Sequence, residues 1–143
     1  MPEELQLYYY ATDPSVENYE IPLPNSKSPD LPSSLYGYDT RTVYNSKFEK
    51  AGTLARVVPQ PYIEGIDFGQ YYQNFILGDD LDTITVAFNY VVPSDGTTFF
   101  PPGVKIPFTY LYGSGKYFNK KITGYLLPFD NNVRSRVYVF FIE

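Results

Sequence analysis

The stretch "DTITVAFNYVV", residues 82–92, decides the fold. Ile84, Val86, Phe88 and Tyr90 fall on one side of it, and Thr83, Thr85, Ala87 and Asn89 on the other. A period of two in β-branched and aromatic residues is the signature of a strand with one buried face. The flanking "LGDD" (77–80) and "PSDG" (93–96) carry turn chemistry, so the strand is expected to sit between two hairpins. Near the carboxy terminus "RSRVYVFFI" (134–142) alternates again, with Arg136, Tyr138, Phe140 and Ile142 against Val137, Val139 and Phe141. Here both faces are largely apolar. Such a strand needs cover on both sides, from a barrel interior and from a neighbouring subunit or a long loop, which predicts a homo-oligomer.

Working outward, further strands are expected at 4–11, 41–49, 52–59, 69–77, 104–113 and 119–129. Together with 82–92 and 134–142 they make eight, joined mostly by short polar turns such as "GSG" (113–115) and "FDNN" (129–132). No ten-residue helix is evident, and 16 Tyr, 11 Phe, 13 Pro and 10 Gly favour pleated surfaces broken by turns. The expected fold is all-β, an eight-stranded antiparallel barrel in a single domain spanning 1–143. Residues 12–40 are the exception: their prolines argue for a long irregular segment after the first strand, a lid, an oligomer arm or a passive surface loop.

Composition removes much chemistry. The chain has no cysteine and no histidine, so disulfides, thiolate nucleophiles, Ser-His-Asp triads and the usual zinc ligands are all excluded. Proton transfer would fall to Asp, Glu, Tyr or Lys, and a metal would have to be a hard, oxygen-bound ion. The acidic run Asp79-Asp80-Leu81-Asp82 lacks calcium-loop spacing and reads more simply as a turn. No metal and no cofactor are expected. A net charge of −5 argues against nucleic acid as a partner. "GSGK" (113–116) mimics the end of a phosphate-binding loop, but Tyr110 and Tyr117 stand where that loop needs a glycine and a hydroxyl ligand. Gly113 and Gly115 are read instead as a reversal between strands, with Lys116 exposed and Tyr117 tucked beneath it. The amino terminus has no basic and apolar export pattern and no apolar run approaches 18 residues, so a soluble cytoplasmic protein is expected, without a membrane partner.

The carboxy-terminal series, an aromatic strand into "GSGKY" and then "ITGYLLPFDNNVRSRVYVFFI", resembles the end of the allene oxide cyclase and dirigent-protein barrel superfamily. "ELQLYYY" resembles the first strand of that family and "TVYNSKFEKAG" its second strand and turn. "GQYYQNFILGDDLDTITVAFNY" (69–90) is also similar to bacterial spirotetronate cyclases, which use this barrel for a Diels-Alder-type ring closure. Allene oxide cyclases carry a Glu and an Asn where this chain has Tyr9 and Ala11, and another Asn where it has Arg41, so the branch implied is that of the bacterial spirotetronate cyclases.

The resemblance implies an eight-stranded barrel, commonly a dimer or trimer, whose lumen folds a hydrophobic polyketide- or polyene-like substrate and directs stereoselective ring closure without a cofactor. Tyrosine suits such work, offering a stiff apolar wall with one hydroxyl for a substrate carbonyl. The resemblance places Tyr9, Tyr72 and Tyr90 around the lumen as catalytic candidates. Arg56 joins them on its own account, a cation within the apolar strand "TLARVV" that needs a partner, a ligand or an exit to water. Asn74, Phe88, Tyr110 and Phe140 are candidates for substrate binding. For each strand tyrosine, core or interface packing is the plainer role. The alternatives to a cyclase are a non-catalytic, dirigent-like carrier of a hydrophobic ligand and an all-β structural or assembly protein.

Overall fold

The computed structural model describes residues 1–10, 17–22, 35–60, 66–93, 103–129 and 135–143, with side chains described at 1–10, 39–59, 69–89, 103–129 and 135–143. Among them are ten strands: β1 (Glu3–Tyr9), β2 (Glu17–Pro22), β3 (Leu35–Tyr44), β4 (Lys50–Gln60), β5 (Ile66–Leu77), β6 (Asp82–Pro93), β7 (Ile106–Pro107), β8 (Thr109–Ser114), β9 (Ile122–Pro128) and β10 (Arg136–Ile142). The one helical element among the described residues is a 3-10 turn, Gly115–Tyr117. Nine strands run in the order β7-β9-β10-β1-β3-β4-β5-β6-β8, and β2 pairs with β3 off this path. Every pairing is antiparallel. β7 and β8 terminate the run on opposite sides, yet only Phe108 separates them in the chain. The sheet therefore curls into a nearly closed barrel.

The all-β, antiparallel expectation holds, while the count of eight does not. The strand expected at 104–113 is broken at Phe108, because Pro107 has no N–H to continue the ladder. Its first part pairs with β9 and its second with β6. The segment 12–40, expected to be irregular, contains β2 and the first half of β3, paired from Glu17↔Thr40 to Pro22↔Leu35. Proline is tolerated there because Pro22 ends a strand that, among the described residues, has a neighbour on one side only. Residues 11–16 and 23–34 lie outside the described residues, as do those of the expected turns at 94–96 and 130–132. The second expected strand, 41–49, instead ends at Tyr44. Asn45 closes a turn there by accepting the backbone N–H groups of Lys47 and Glu49 on its side-chain oxygen, at 2.9 and 3.0 Å.

The alternation expected in 82–92 is observed over 82–89, the part of it whose side chains are described. Ile84, Val86 and Phe88 are buried, and so are Tyr138, Phe140 and Ile142 opposite them. With Leu7, Leu54, Phe75, Phe108 and Leu126 they fill one tier of the lumen. Phe75 lies edge-on to both Tyr138 and Phe140, at 4.9 and 5.2 Å between ring centroids. Buried Tyr117 packs into the same cluster beneath the 3-10 turn, with Lys116 exposed above it.

This end of the barrel carries the tight turns. Gly78 and Gly115 both adopt left-handed backbone, φ 71° and 64°. A side chain at 78 would meet open space, whereas one at 115 would run into the Asp82 carboxylate, which accepts the Lys116 backbone N–H at 3.1 Å. Gly78→Ala is therefore expected to lose about 1 kcal/mol from backbone strain alone, and Gly115→Ala distinctly more. Urea unfolding of the two variants checks the order, and equal losses would contradict the packing at 115.

Candidate functional site

The other tier of the lumen is polar. Along β3 the inward positions are Asp39 and Arg41, on β4 Arg56, on β5 Gln73, on β10 Arg136 and Tyr138, and on β1 Tyr9, all buried. Register brings them together: Asp39 pairs with Arg56, Arg56 with Gln73, and Tyr9 with Arg136. The ends of β4, β6 and β9, and the starts of β5 and β10, lie on this side, opposite the tight turns.

Asp39 anchors the group. Its carboxylate accepts Arg56 Nε at 2.6 Å and Arg56 Nη2 on its second oxygen, a two-pronged pair, and Arg41 Nε lies 3.5 Å away. Burial opposes the Arg56 charge, but the Asp39 hydrogen bonds and the negative charge beside it hold the guanidinium above its ordinary value. Three guanidinium groups then gather on the Tyr9 ring, with the central carbons of Arg56, Arg41 and Arg136 at 4.8, 4.9 and 5.3 Å from its centroid. Arg136 also lies 6.0 Å from the centroid of Tyr71, which stacks on Phe88 at 5.0 Å and 6°.

Burial pushes the Tyr138 phenol up from its ordinary value, with Arg136 and Arg56 pulling the other way. Its oxygen accepts a hydrogen bond from Arg136, so its own O–H turns to Gln73 Oε1 at 2.7 Å. That bond fixes the Gln73 amide and leaves its NH2 pointing elsewhere. Tyr9 Oη and Gln73 Nε2, on residues 0% exposed, have no hydrogen-bond partner among the described residues. Buried donors are rarely left in this state, and one that is needs an explanation.

The tier thus offers hydrogen-bond donors in a positive, water-poor setting, an arrangement that can hold a carbonyl oxygen or stabilise negative charge as it forms. Comparison of the chain with protein-family models, with curated proteins and with solved structures found no match. No group of three or more Asp or Glu that could hold a metal ion occurs among the described residues. Among those residues no helix is long and apolar enough to cross a membrane.

Of the residues singled out from sequence, Tyr9 and Arg56 meet in this tier, and Phe88 adjoins it. Tyr72 and Asn74 have the opposite parity to Gln73 and Phe75 and lie on the outer face. There Tyr72 Oη reaches Gln70 Oε1 at 3.4 Å, while Asn74 donates to Ala55 O at 3.1 Å and accepts from Thr85 Oγ1 at 2.9 Å. Phe140 belongs to the apolar tier, 5.2 Å from both Phe75 and Phe108. Tyr110 sits at the turn end, donating to Tyr117 O at 3.2 Å. The Tyr90 side chain lies outside the described residues. Asp79 and Asp80 are exposed in the β5–β6 turn. A groove of about 660 Å3 between β8 and β9 opens outward beside Asn119, Lys120 and Lys121, away from the arginines. Asp39, Gln73 and Tyr138 were not foreseen as site residues. Arg136 shares an alternating face with Tyr138, Phe140 and Ile142, and that placement was the available signal.

Two predictions follow from the charges and phenols. Asp39→Ala strands buried guanidinium charge and is expected to lose about 3–5 kcal/mol of unfolding free energy, as breaking one partner of a buried pair does. Denaturant titration measures it, and a loss under 1 kcal/mol would mean that the pair is solvated. Tyr138, with its folded-state value raised by burial, contributes stability that is complete below the ordinary phenol value of 10.0. In alkali the unfolded phenol ionises first, so stability falls as pH rises past 10, by up to about 1.4 kcal/mol per pH unit for one group. Tyr138→Phe should flatten that decline relative to wild type.

Proposed function

We propose that this protein is a small-molecule cyclase or isomerase that holds a linear, largely apolar substrate at the arginine end of the barrel and directs its ring closure. What supports the reading is the pair of buried groups without a hydrogen-bond partner among the described residues, Tyr9 Oη and Gln73 Nε2, beside three guanidinium groups. Such donors strengthen their bonds to a carbonyl oxygen as negative charge builds on it during cycloaddition or enolisation. Confinement adds the remainder, since holding reacting ends together removes up to roughly 7–11 kcal/mol of entropic barrier in well-oriented cases. The packing of Phe75, Phe140 and Phe108 favours a substrate seated above Tyr138 over one threaded through the lumen. Neither a histidine nor a cysteine is needed for such chemistry.

The test incubates the protein with a linear polyene bearing a conjugated carbonyl and follows ring closure by chiral chromatography. Faster and stereoselective closure is expected, reduced about 10²–10³-fold in Tyr9→Phe, the usual effect of removing one such donor. Closure at the rate and selectivity seen in buffer would leave a carrier in place of an enzyme.

We infer further that the chain forms a homo-oligomer. Tyr8, Tyr10, Tyr44, Phe48 and Phe129 form a connected aromatic patch on the outside of β1, each ring within 6.5 Å of another. Phe48 is 72% exposed and holds φ at 62°, a conformation that a bulky side chain adopts only at a cost. Phe48→Gly should raise monomer stability by about 1 kcal/mol while weakening self-association, as read by light scattering across concentrations. A monomeric wild type would exclude the interface.

A further inference from the structure

We infer that the polar tier is a binding site for a small organic carboxylate, gripped by Tyr9 Oη and Gln73 Nε2. The inference rests on the reading of the arginine end as the place where a small molecule is held, and adds the chemical class of the group recognised there. Tyr9 and Gln73 are each 0% exposed and each retains a polar atom without a hydrogen-bond partner among the described residues. Turning the Gln73 amide over would set its NH2 against a Tyr138 hydroxyl that already receives Arg136 and would leave that O–H without the acceptor it now has at 2.7 Å. What it presents is therefore a donor, and the Tyr9 hydroxyl can donate beside it. The matching ligand group is an acceptor.

An ionised carboxylate is acceptor-only and planar, with two oxygens, so it can take one donor on each. The positive groups decide between an anion and a neutral carbonyl. The guanidinium carbons of Arg56, Arg41 and Arg136 stand 4.8–5.3 Å from the Tyr9 centroid, and their attraction for a nearby anionic oxygen acts whatever other bonds they make. The walls decide between an organic anion and a bare inorganic one. Tyr71 stacked on Phe88, with Arg136 beside Tyr71, gives flat aromatic surface suited to an unsaturated or aromatic body, whereas a tetrahedral phosphate asks for donors on every side. One ordered water is the competing occupant of the two donors.

The experiment titrates the full chain with sodium benzoate, benzamide and inorganic phosphate, reading the thermal midpoint and the heat of binding. Benzoate is expected to raise the midpoint saturably, benzamide, a neutral carbonyl, to raise it less at equal concentration, and phosphate to leave it unchanged. Tyr9→Phe should weaken benzoate binding at least tenfold while its own midpoint stays equal to or above that of wild type, because the hydroxyl removed has no partner. Gln73→Met, of similar volume, gives an independent second variant with the same expected loss. The inference is overturned if benzoate produces no shift, which would leave water on the donors, or if benzamide or phosphate matches it. It is overturned equally if both variants bind benzoate as wild type does. Its failure is separable from that of the cyclase reading: ring closure without benzoate binding sinks the carboxylate site alone, and benzoate binding without ring closure sinks the enzyme alone.

Discussion

The Asp39–Arg56 pair inside the barrel is the interaction on which the polar tier depends. A carboxylate and a guanidinium taken out of water lose several kcal/mol of hydration each, and a well-packed apolar pair in their place is often as stable or more so. Their value therefore lies in what they position. Held at two points by Asp39, Arg56 is set against the Tyr9 ring, and Arg41 and Arg136 lie on the same ring. Arg136 in turn bonds Tyr138, which orients Gln73. Each bond in the chain limits the freedom of the next, the condition under which a buried network holds one geometry.

The lumen is thereby divided. Its apolar tier, built from Leu7, Leu54, Phe75, Leu126 and Phe140, lies toward the turns at Asn45, Gly78 and Gly115 and carries the packing that makes the barrel rigid. Its polar tier is stiffened from below by Tyr138, which belongs to both: its ring meets Phe75 and its hydroxyl meets Gln73. Rigidity next to a set of partnerless donors is what preorganisation requires, because donors that need not rearrange can stabilise charge as it appears.

The all-β class and the alternating faces of β6 and β10 were legible, since a period of two in Val, Ile, Phe and Tyr has few other readings. The site was half legible. Tyr9 and Arg56 stood out as a strand aromatic and a cation among apolar neighbours. Gln73 did not, because "QYYQNF" carries aromatics at both parities and only the ladder, by pairing Phe75 with Leu54, tells which side is inward. Tyr72 and Asn74 went to the outer face for the same reason. Asp39 was hidden by its setting: a proline-rich stretch reads as irregular, although β2 and β3 can pair there with Pro22 at a strand end. The strand break at Phe108 followed from Pro107, whose missing N–H is a local fact with a long-range result: it lets one segment bond to β9 and then to β6.

A site without histidine behaves differently with pH from one that has it. Arg56 is held above its ordinary value by Asp39, and burial raises the Tyr138 phenol, so the charge of the one and the donor of the other are unchanged across the neutral range. A barrel that moved protons between such groups would work slowly near pH 7, since neither gives up nor takes a proton readily there. One that acts by holding an oxygen among fixed donors has no such limit. The buried geometry sets hydrogen-bond donors beside fixed positive charge, an arrangement suited to holding an oxygen without a proton transfer by the protein.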